Sequence, residues 1–258
     1  MTFSRLNGAV LHWDSSGPDN APPIVFANSL GSDFRIWDAV ARALDHRIIR
    51  YDLRGQGLSD AAPGPFGIAD HADDLAALLD AAGVETCTLV GISVGGMVAQ
   101  CLTARQPHRV GALVLCDTAA RIGTPERWAA RIEAVERGGL AAIADTAVDG
   151  WFSPGFRERH PDEWTGWRTM LLRTPVDGYL ATCAALRDTD LSREAGQIQA
   201  RCLCVGGDAD GATPPDAMRQ TAALIPNARF EVIERAGHLP CLERPERLAA
   251  LIRQHADV

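Results

Sequence analysis

Ser93, within Gly91-Ile92-Ser93-Val94-Gly95-Gly96, is a hydroxyl placed to become a nucleophile. An apolar run, Cys87-Thr88-Leu89-Val90, precedes it, and a helical run from Met97 to Arg105 follows. That context sets the serine on a tight turn between a strand and a helix, with the next N–H at a helix N-terminus. Gly91 and Gly95 flank it because side chains there would collide with the strand-turn-helix backbone. A hydroxyl attacks only after a base takes its proton, so Ser93 needs a histidine and an acid to orient that histidine. Both occur later, just past apolar runs. One run leads into Gly206-Gly207-Asp208-Ala209-Asp210-Gly211-Ala212-Thr213-Pro214, the other into Ala236-Gly237-His238-Leu239-Pro240. The spacing G-x-x-D-x-x-x-P selects Asp210 as the acid, with Asp208 as the alternative, and His238 is the candidate base. Serine, acid and histidine in this chain order describe nucleophilic acyl transfer. A tetrahedral oxyanion also needs donors. The Val94 backbone N–H is one, and the Leu30 N–H, in the turn after Ile24-Val25-Phe26-Ala27, is the second.

The rest of the composition removes other chemistries. All 25 basic residues are arginine, so Schiff-base catalysis, a pyridoxal-phosphate lysine and a P-loop lysine are excluded together. A net charge of −8 disfavours nucleic acid as a partner and repels an anionic substrate at long range, so such a substrate needs a local arginine. The histidines are scattered, with no H-E-x-x-H and no Cys-x-x-Cys, and Cys202-Leu203-Cys204 reads as core rather than as a metal site. No G-x-G-x-x-G follows a strand, so neither a metal nor a dinucleotide cofactor is expected. Seven cysteines without a spaced framework, no signal-peptide layout and no membrane-length apolar run point to a cytoplasmic protein.

The elements that must position these residues follow from periodicity. Two runs joined by Asn7-Gly8 read as a hairpin, with His12 an exposed strand residue. Short apolar strands at 24–27, 47–51, 87–90, 112–116, 202–205 and 230–233 alternate with helices over about 33–44, 68–82, 97–105, 214–225 and 245–255. The pattern is that of an α/β fold, a mostly parallel eight-stranded sheet flanked by helices. His71, His108, His160 and His255, on helices or their ends, read as surface residues. From Asp117 to about Arg193 the rhythm breaks into helical pieces around Pro125, Pro154, Pro161 and Pro175, with Trp128, Trp151, Trp164 and Trp167 among them. This segment is expected to be a helical cap at 119–193, inserted into a core formed by 1–118 and 194–258.

The chain resembles the α/β-hydrolases, and within them the 3-oxoadipate enol-lactonases. The similar segments are Asn28-Ser29-Leu30-Gly31, Tyr51-Asp52-Leu53-Arg54-Gly55, the Gly91–Gly96 turn, Asp117 to Glu126, Trp151-Phe152 and Gly178-Tyr179. It departs from the common pattern at Asn28-Ser29, where His-Gly is frequent, at Gln56, where histidine is common, and at Val94, where methionine is usual. The resemblance implies hydrolysis of 3-oxoadipate enol-lactone by a Ser93–His238–Asp210 triad through an acyl-enzyme, without a cofactor. It also implies a substrate that carries a carboxylate. Arg121, at the cap entrance, is the expected anchor for that group, unless it serves as a salt bridge holding the cap, and Trp128 is the expected pocket wall. The alternatives are a general esterase or perhydrolase, a carbon–carbon bond hydrolase of the same fold, and a non-catalytic ligand receptor.

Overall fold

The computed structural model describes residues 2–60 and 64–256. It opens on a hairpin, β1 (Thr2–Leu6) and β2 (Ala9–Ser16). Asn7 and Gly8 form its turn at φ 45° and 82°, the two left-handed positions that a two-residue hairpin loop demands. The other strands are β3 (Pro23–Ala27), β4 (Arg47–Tyr51), β5 (Cys87–Ile92), β6 (Val110–Cys116), β7 (Arg201–Gly207) and β8 (Arg229–Ile233). They lie in the order β1-β2-β4-β3-β5-β6-β7-β8. The β1–β2 and β2–β4 pairs are antiparallel and every other pair is parallel, giving the expected eight-stranded, mostly parallel sheet. β5 is buried along its whole length, as a strand covered on both faces must be.

The helices are α1 (Asp38–Arg42), α2 (Ile68–Ala81), α3 (Val94–Arg105), α4 (Pro125–Gly138), α5 (Ala144–Asp149) and α6 (Phe156–Arg159). They continue with α7 (Pro161–Leu172), α8 (Val176–Asp188), α9 (Ser192–Ala195), α10 (Pro215–Leu224), α11 (Pro240–Glu243) and α12 (Pro245–Ala256). α3 packs on β5 and β6, α10 on β7 and α12 on β6. Six helices, α4 to α9, lie between β6 and β7. Proline occupies the first turn of α4 and α7, where its missing N–H costs nothing. None of the described helices is long and apolar enough to cross a membrane.

The strand order decides where a site can form. β3 has β4 on one side and β5 on the other, so the loops after β3 and β5 leave in opposite directions and open a crevice at the strands' C-terminal ends. Ala27 lies opposite Gly91 and Ile92 opposite Cys116, so the turn after β3, the turn at Ser93 and the end of β6 are neighbours. Gly207 lies opposite Ile233, which brings the loops after β7 and β8 to the same edge.

Several expectations change. The helix expected from 33 to 44 is a 3₁₀ turn, Phe34–Trp37, followed by the short α1. The Phe34 N–H is held by the Asp52 carboxylate at 2.8 Å and Asp33 caps the turn through Arg35 N, which fixes the entry before α1 begins. His12 is buried, not exposed, and its Nδ1 meets Asp52 Oδ2 at 2.7 Å. His71 is fully buried, and burial pushes its imidazole down to about 4. His255 is buried too, with Nε2 against the Arg201 carbonyl at 3.1 Å. His108 and His160 are exposed.

α8 seats on the turn after β4 through two glycines. A Cβ on Gly178 would run into the Gly55 carbonyl, and Gly55, at φ 77°, has no room for one against Gly178. We expect Gly178→Ala to lift α8 from the core and cost about 1–3 kcal/mol of stability, as overpacking does. Thermal unfolding of the variant beside the wild type measures it.

Candidate active site

Ser93 sits at φ 56°, ψ −123°, a conformation a non-glycine residue holds only when its surroundings enforce it. The enforcement is visible. Ser93 N donates to the Cys116 carbonyl at 3.1 Å and Thr118 Oγ1 donates to the Ser93 carbonyl at 2.6 Å. A Cβ on Gly91 would strike Gly95, one on Gly95 would strike the Ala27 and Asn28 carbonyls, and one on Gly96 would strike the Thr118 side chain. The glycines therefore let α3 start directly against β3 and β6. Val94 is the first residue of α3, so its N–H has no acceptor within the helix.

The turn after β3 is braced from two directions. Asn28 Nδ2 donates to the Ser32 carbonyl at 2.8 Å, and the Gly31 N–H, at φ 75°, donates to Gln56 Oε1 at 2.6 Å. Gln56, singled out in the sequence only as a departure, thus holds the residue next to Leu30.

Across the crevice, His238 Nδ1 meets Asp210 Oδ2 at 2.8 Å, and both residues are buried. Asp210 also accepts from Ala212 N at 2.7 Å, Thr213 N at 3.1 Å and Thr213 Oγ1 at 2.6 Å. Burial works to raise the Asp210 carboxyl, but attraction and hydrogen bonding from His238, with Thr213 and Ala212, outweigh it and bring it down to about 2. Asp208, the alternative acid, is turned elsewhere and accepts from Ala236 N at 3.1 Å, clamping the β7 loop to the β8 loop. The loop that carries His238 is docked on residues 151–153. Leu239 N donates to the Trp151 carbonyl at 3.1 Å, and Glu243 accepts from Gly237 N at 2.7 Å, Ser153 N at 3.0 Å and Ser153 Oγ at 2.6 Å. Glu243 was not legible beforehand as a site residue; nothing in Leu242-Glu243-Arg244 marks it apart from ordinary surface sequence.

Ser93, His238, Leu30 and Ser29 line one cavity of about 270 Å³. Its roof comes from the α4–α8 segment and includes Trp128, Trp151, Tyr179, Arg127 and Arg131. Trp128 Nε1 donates to the Ile122 carbonyl at 2.6 Å, which fixes the ring at the cavity's edge. Arg121 is not among the cavity's lining residues, and of its two expected roles the structure shows the salt bridge. It is half exposed and pairs with Asp190 at 3.5 Å, beside the Leu191 N–H to Ala120 carbonyl bond of 2.9 Å, so it ties together the two ends of the helical insertion. The cations in the cavity are one and two turns into α4. Arg131 donates to the Tyr179 hydroxyl at 3.1 Å and its guanidinium lies 5.9 Å from the Trp128 ring. Arg127 and Arg131 are four apart, so α4 presents both to one side.

A larger cavity of about 370 Å³ borders the same β3 turn through Ser32, Asp33 and Phe34 and contains the His12–Asp52 pair. The nearby serine is not poised there. Ser59 Oγ donates to the Asp52 carbonyl at 2.7 Å and accepts from His12 N at 2.9 Å, a loop-closing arrangement. Among the described residues, no group of three or more His, Cys, Asp or Glu is placed to hold a metal ion.

A buried serine at the start of a helix, a histidine on the same cavity backed by an aspartate, and a mostly parallel sheet beneath them define a hydrolase fold. The chain belongs to the alpha/beta hydrolase family, whose model matches residues 24–251. Within that family it is similar to two enol-lactonases of Acinetobacter baylyi. It is 35% identical to 3-oxoadipate enol-lactonase 1, over 96% of this chain and 93% of that protein. To 3-oxoadipate enol-lactonase 2 it is 32% identical, over 92% and 89%. The crystal structure of the enol-lactonase from Burkholderia xenovorans LB400 superposes with a TM-score of 0.97 at 33% identity, covering 100% of both chains.

The low Asp210 value makes the site a contributor to acid stability. The carboxylate's interactions are in place above its ordinary value of 3.8 and are lost as pH falls through about 2. Wild type is expected to lose about 2 kcal/mol more stability than Asp210→Asn over that window, read from denaturant unfolding at stepped pH.

Proposed function

We propose that this chain hydrolyses 3-oxoadipate enol-lactone to 3-oxoadipate, a step in bacterial breakdown of aromatic acids. The observation that carries the reading is a single cavity that joins Ser93 and His238 to two arginines, Arg127 and Arg131. The acyl-transfer apparatus explains hydrolysis of an ester bond, and the arginines explain a substrate with a free carboxylate in a protein whose net charge repels it. The likeness to named enol-lactonases supports the same substrate.

In this mechanism His238 Nε2 takes the Ser93 proton as Oγ attacks the lactone carbonyl. The oxyanion is held by the backbone N–H groups of Leu30 and Val94. Collapse of the tetrahedral intermediate breaks the ring C–O bond, and His238 returns the proton to the departing enolate oxygen, whose charge is delocalised. The enol becomes the 3-oxo group. Water, deprotonated by His238, then attacks the acyl-enzyme and releases the second carboxylate with Ser93 regenerated. Asp210 keeps His238 in the tautomer with Nδ1 protonated and stabilises the imidazolium. The helices over the cavity act as a cap that shields the acyl-enzyme.

Absorbance loss of the enol-lactone, compared with hydrolysis of p-nitrophenyl acetate, tests the reading. Ser93→Ala and His238→Ala should abolish turnover of both while leaving the fold intact. Asp210→Asn should lose about 10⁴-fold in kcat, and a comparable loss in Asp208→Asn would transfer the acid role. Arg131→Ala should lower kcat/KM for the lactone about 10- to 100-fold, with little effect on the neutral ester. A wild-type preference for the neutral ester would overturn the substrate.

A further inference from the structure

Asp117 ends β6 in a position no acyl-transfer mechanism requires. It is completely buried, at φ 41°, and its N–H donates to the Val205 carbonyl at 2.9 Å. Its Oδ1 accepts from Gly207 N at 2.7 Å, while Oδ2, equally buried, meets no donor. Gly207 also begins the turn that places Asp210, since Asp210 N donates to the Gly207 carbonyl at 3.2 Å. Asp117 therefore grips the base of the loop that carries the acid, near enough to Asp210 for that carboxylate to act on it by charge and by side-chain hydrogen bonding.

Two carboxylates in contact inside a protein cannot both hold a charge. Asp210 already has His238 and three further donors to keep it ionised. The ionisable groups that act on Asp117 include Asp210, Glu243, Cys116 and Cys241, each neutral or negative. An ionised Asp117 would leave Oδ2 a buried oxygen without a donor, among groups that repel it. A protonated Oδ2 becomes a donor, and Asp210 is the acceptor in reach. Burial first, and then the Asp210 charge, push the Asp117 carboxyl far above the usual range, in the same sense.

We propose that Asp117 is kept as a neutral carboxylic acid that donates its proton to Asp210, a fourth, positioning residue behind Ser93, His238 and Asp210. This rests on the triad reading above and extends it. The donated bond takes up acceptor capacity on Asp210 and fixes which carboxylate edge faces His238. It also moderates the pull of Asp210 on the imidazolium.

Infrared spectra with isotope-labelled aspartate, taken at neutral pH, test the protonation directly. A carboxylic-acid C=O band present in the wild type and missing from Asp117→Asn is the expected result, and its absence from the wild type would overturn the proposal. Kinetics test the positioning. The amide of Asp117→Asn can both accept from Gly207 and donate to Asp210, so it should cost less than about threefold in kcat. Asp117→Leu, without a donor, should cost about 10- to 100-fold and move the acid limb of kcat/KM up by about one pH unit. Equal losses in both variants with unmoved pH profiles would reduce Asp117 to packing and sink the idea. Should Asp117→Leu fail to fold, stability decides. The native proton is lost on unfolding above pH 3.8, so wild-type stability falls with rising pH relative to Asp117→Asn. A Tm difference that does not grow in the variant's favour from about pH 5 to about pH 8 would count against the proposal. Undiminished turnover in Ser93→Ala would instead overturn the triad, leaving the infrared result standing as a statement about Asp117 alone.

Discussion

The close approach of α3 to the ends of β3 and β6 is the constraint on which the rest depends. Gly95 rests on the Ala27 and Asn28 carbonyls and Gly96 on the Thr118 side chain, with no space for a Cβ at either. That approach is what forces Ser93 into a positive-φ conformation and sets it beside the Leu30 turn. Hydrogen bonds from Ser93 N and from Thr118 Oγ1 hold the strained residue in place. The cost is local, and the surrounding sheet, with β5 and much of β6 wholly buried, supplies the rigidity to bear it.

The site is an assembly of loop ends, each fastened by a side chain from somewhere else. Gln56 fastens the β3 turn, Asp208 joins the loops after β7 and β8, Asp117 grips the start of the Asp210 turn, and Glu243 joins the His238 loop to residues 151–153. Four polar side chains thus turn four flexible connections into one frame.

The strands, the hairpin turn and the serine turn were legible because each is a local signal: apolar runs of strand length, Asn7-Gly8, and glycines flanking Ser93. Asp210 and His238 were legible because they follow such runs. What was not legible depends on neighbours distant in sequence. His12 is buried because β2 lies between two strands and Asp52 reaches it from 40 residues away. Which arginines line the cavity is set by the path of the chain rather than by local sequence. Arg121 sits beside the strand end, but the chain turns there so that α4, not the entrance, faces the cavity, and no periodicity within Thr118–Glu126 announces that turn. Asp117 reads in sequence as one residue of a resemblance; its place against Gly207, at the base of the Asp210 turn, comes from the β6–β7 pairing.

Glu243 has a consequence for motion. One carboxylate collects donors from Ser153 in the helical insertion and from Gly237 beside the histidine. Displacing Glu243 breaks its bonds to both partners at once, so the two segments hang on one anchor. The edge of the cavity roof at residues 151–153 and the loop carrying His238 are therefore coupled through a single side chain. A fluctuation that carries Glu243 away from this edge therefore also loosens the loop that holds His238.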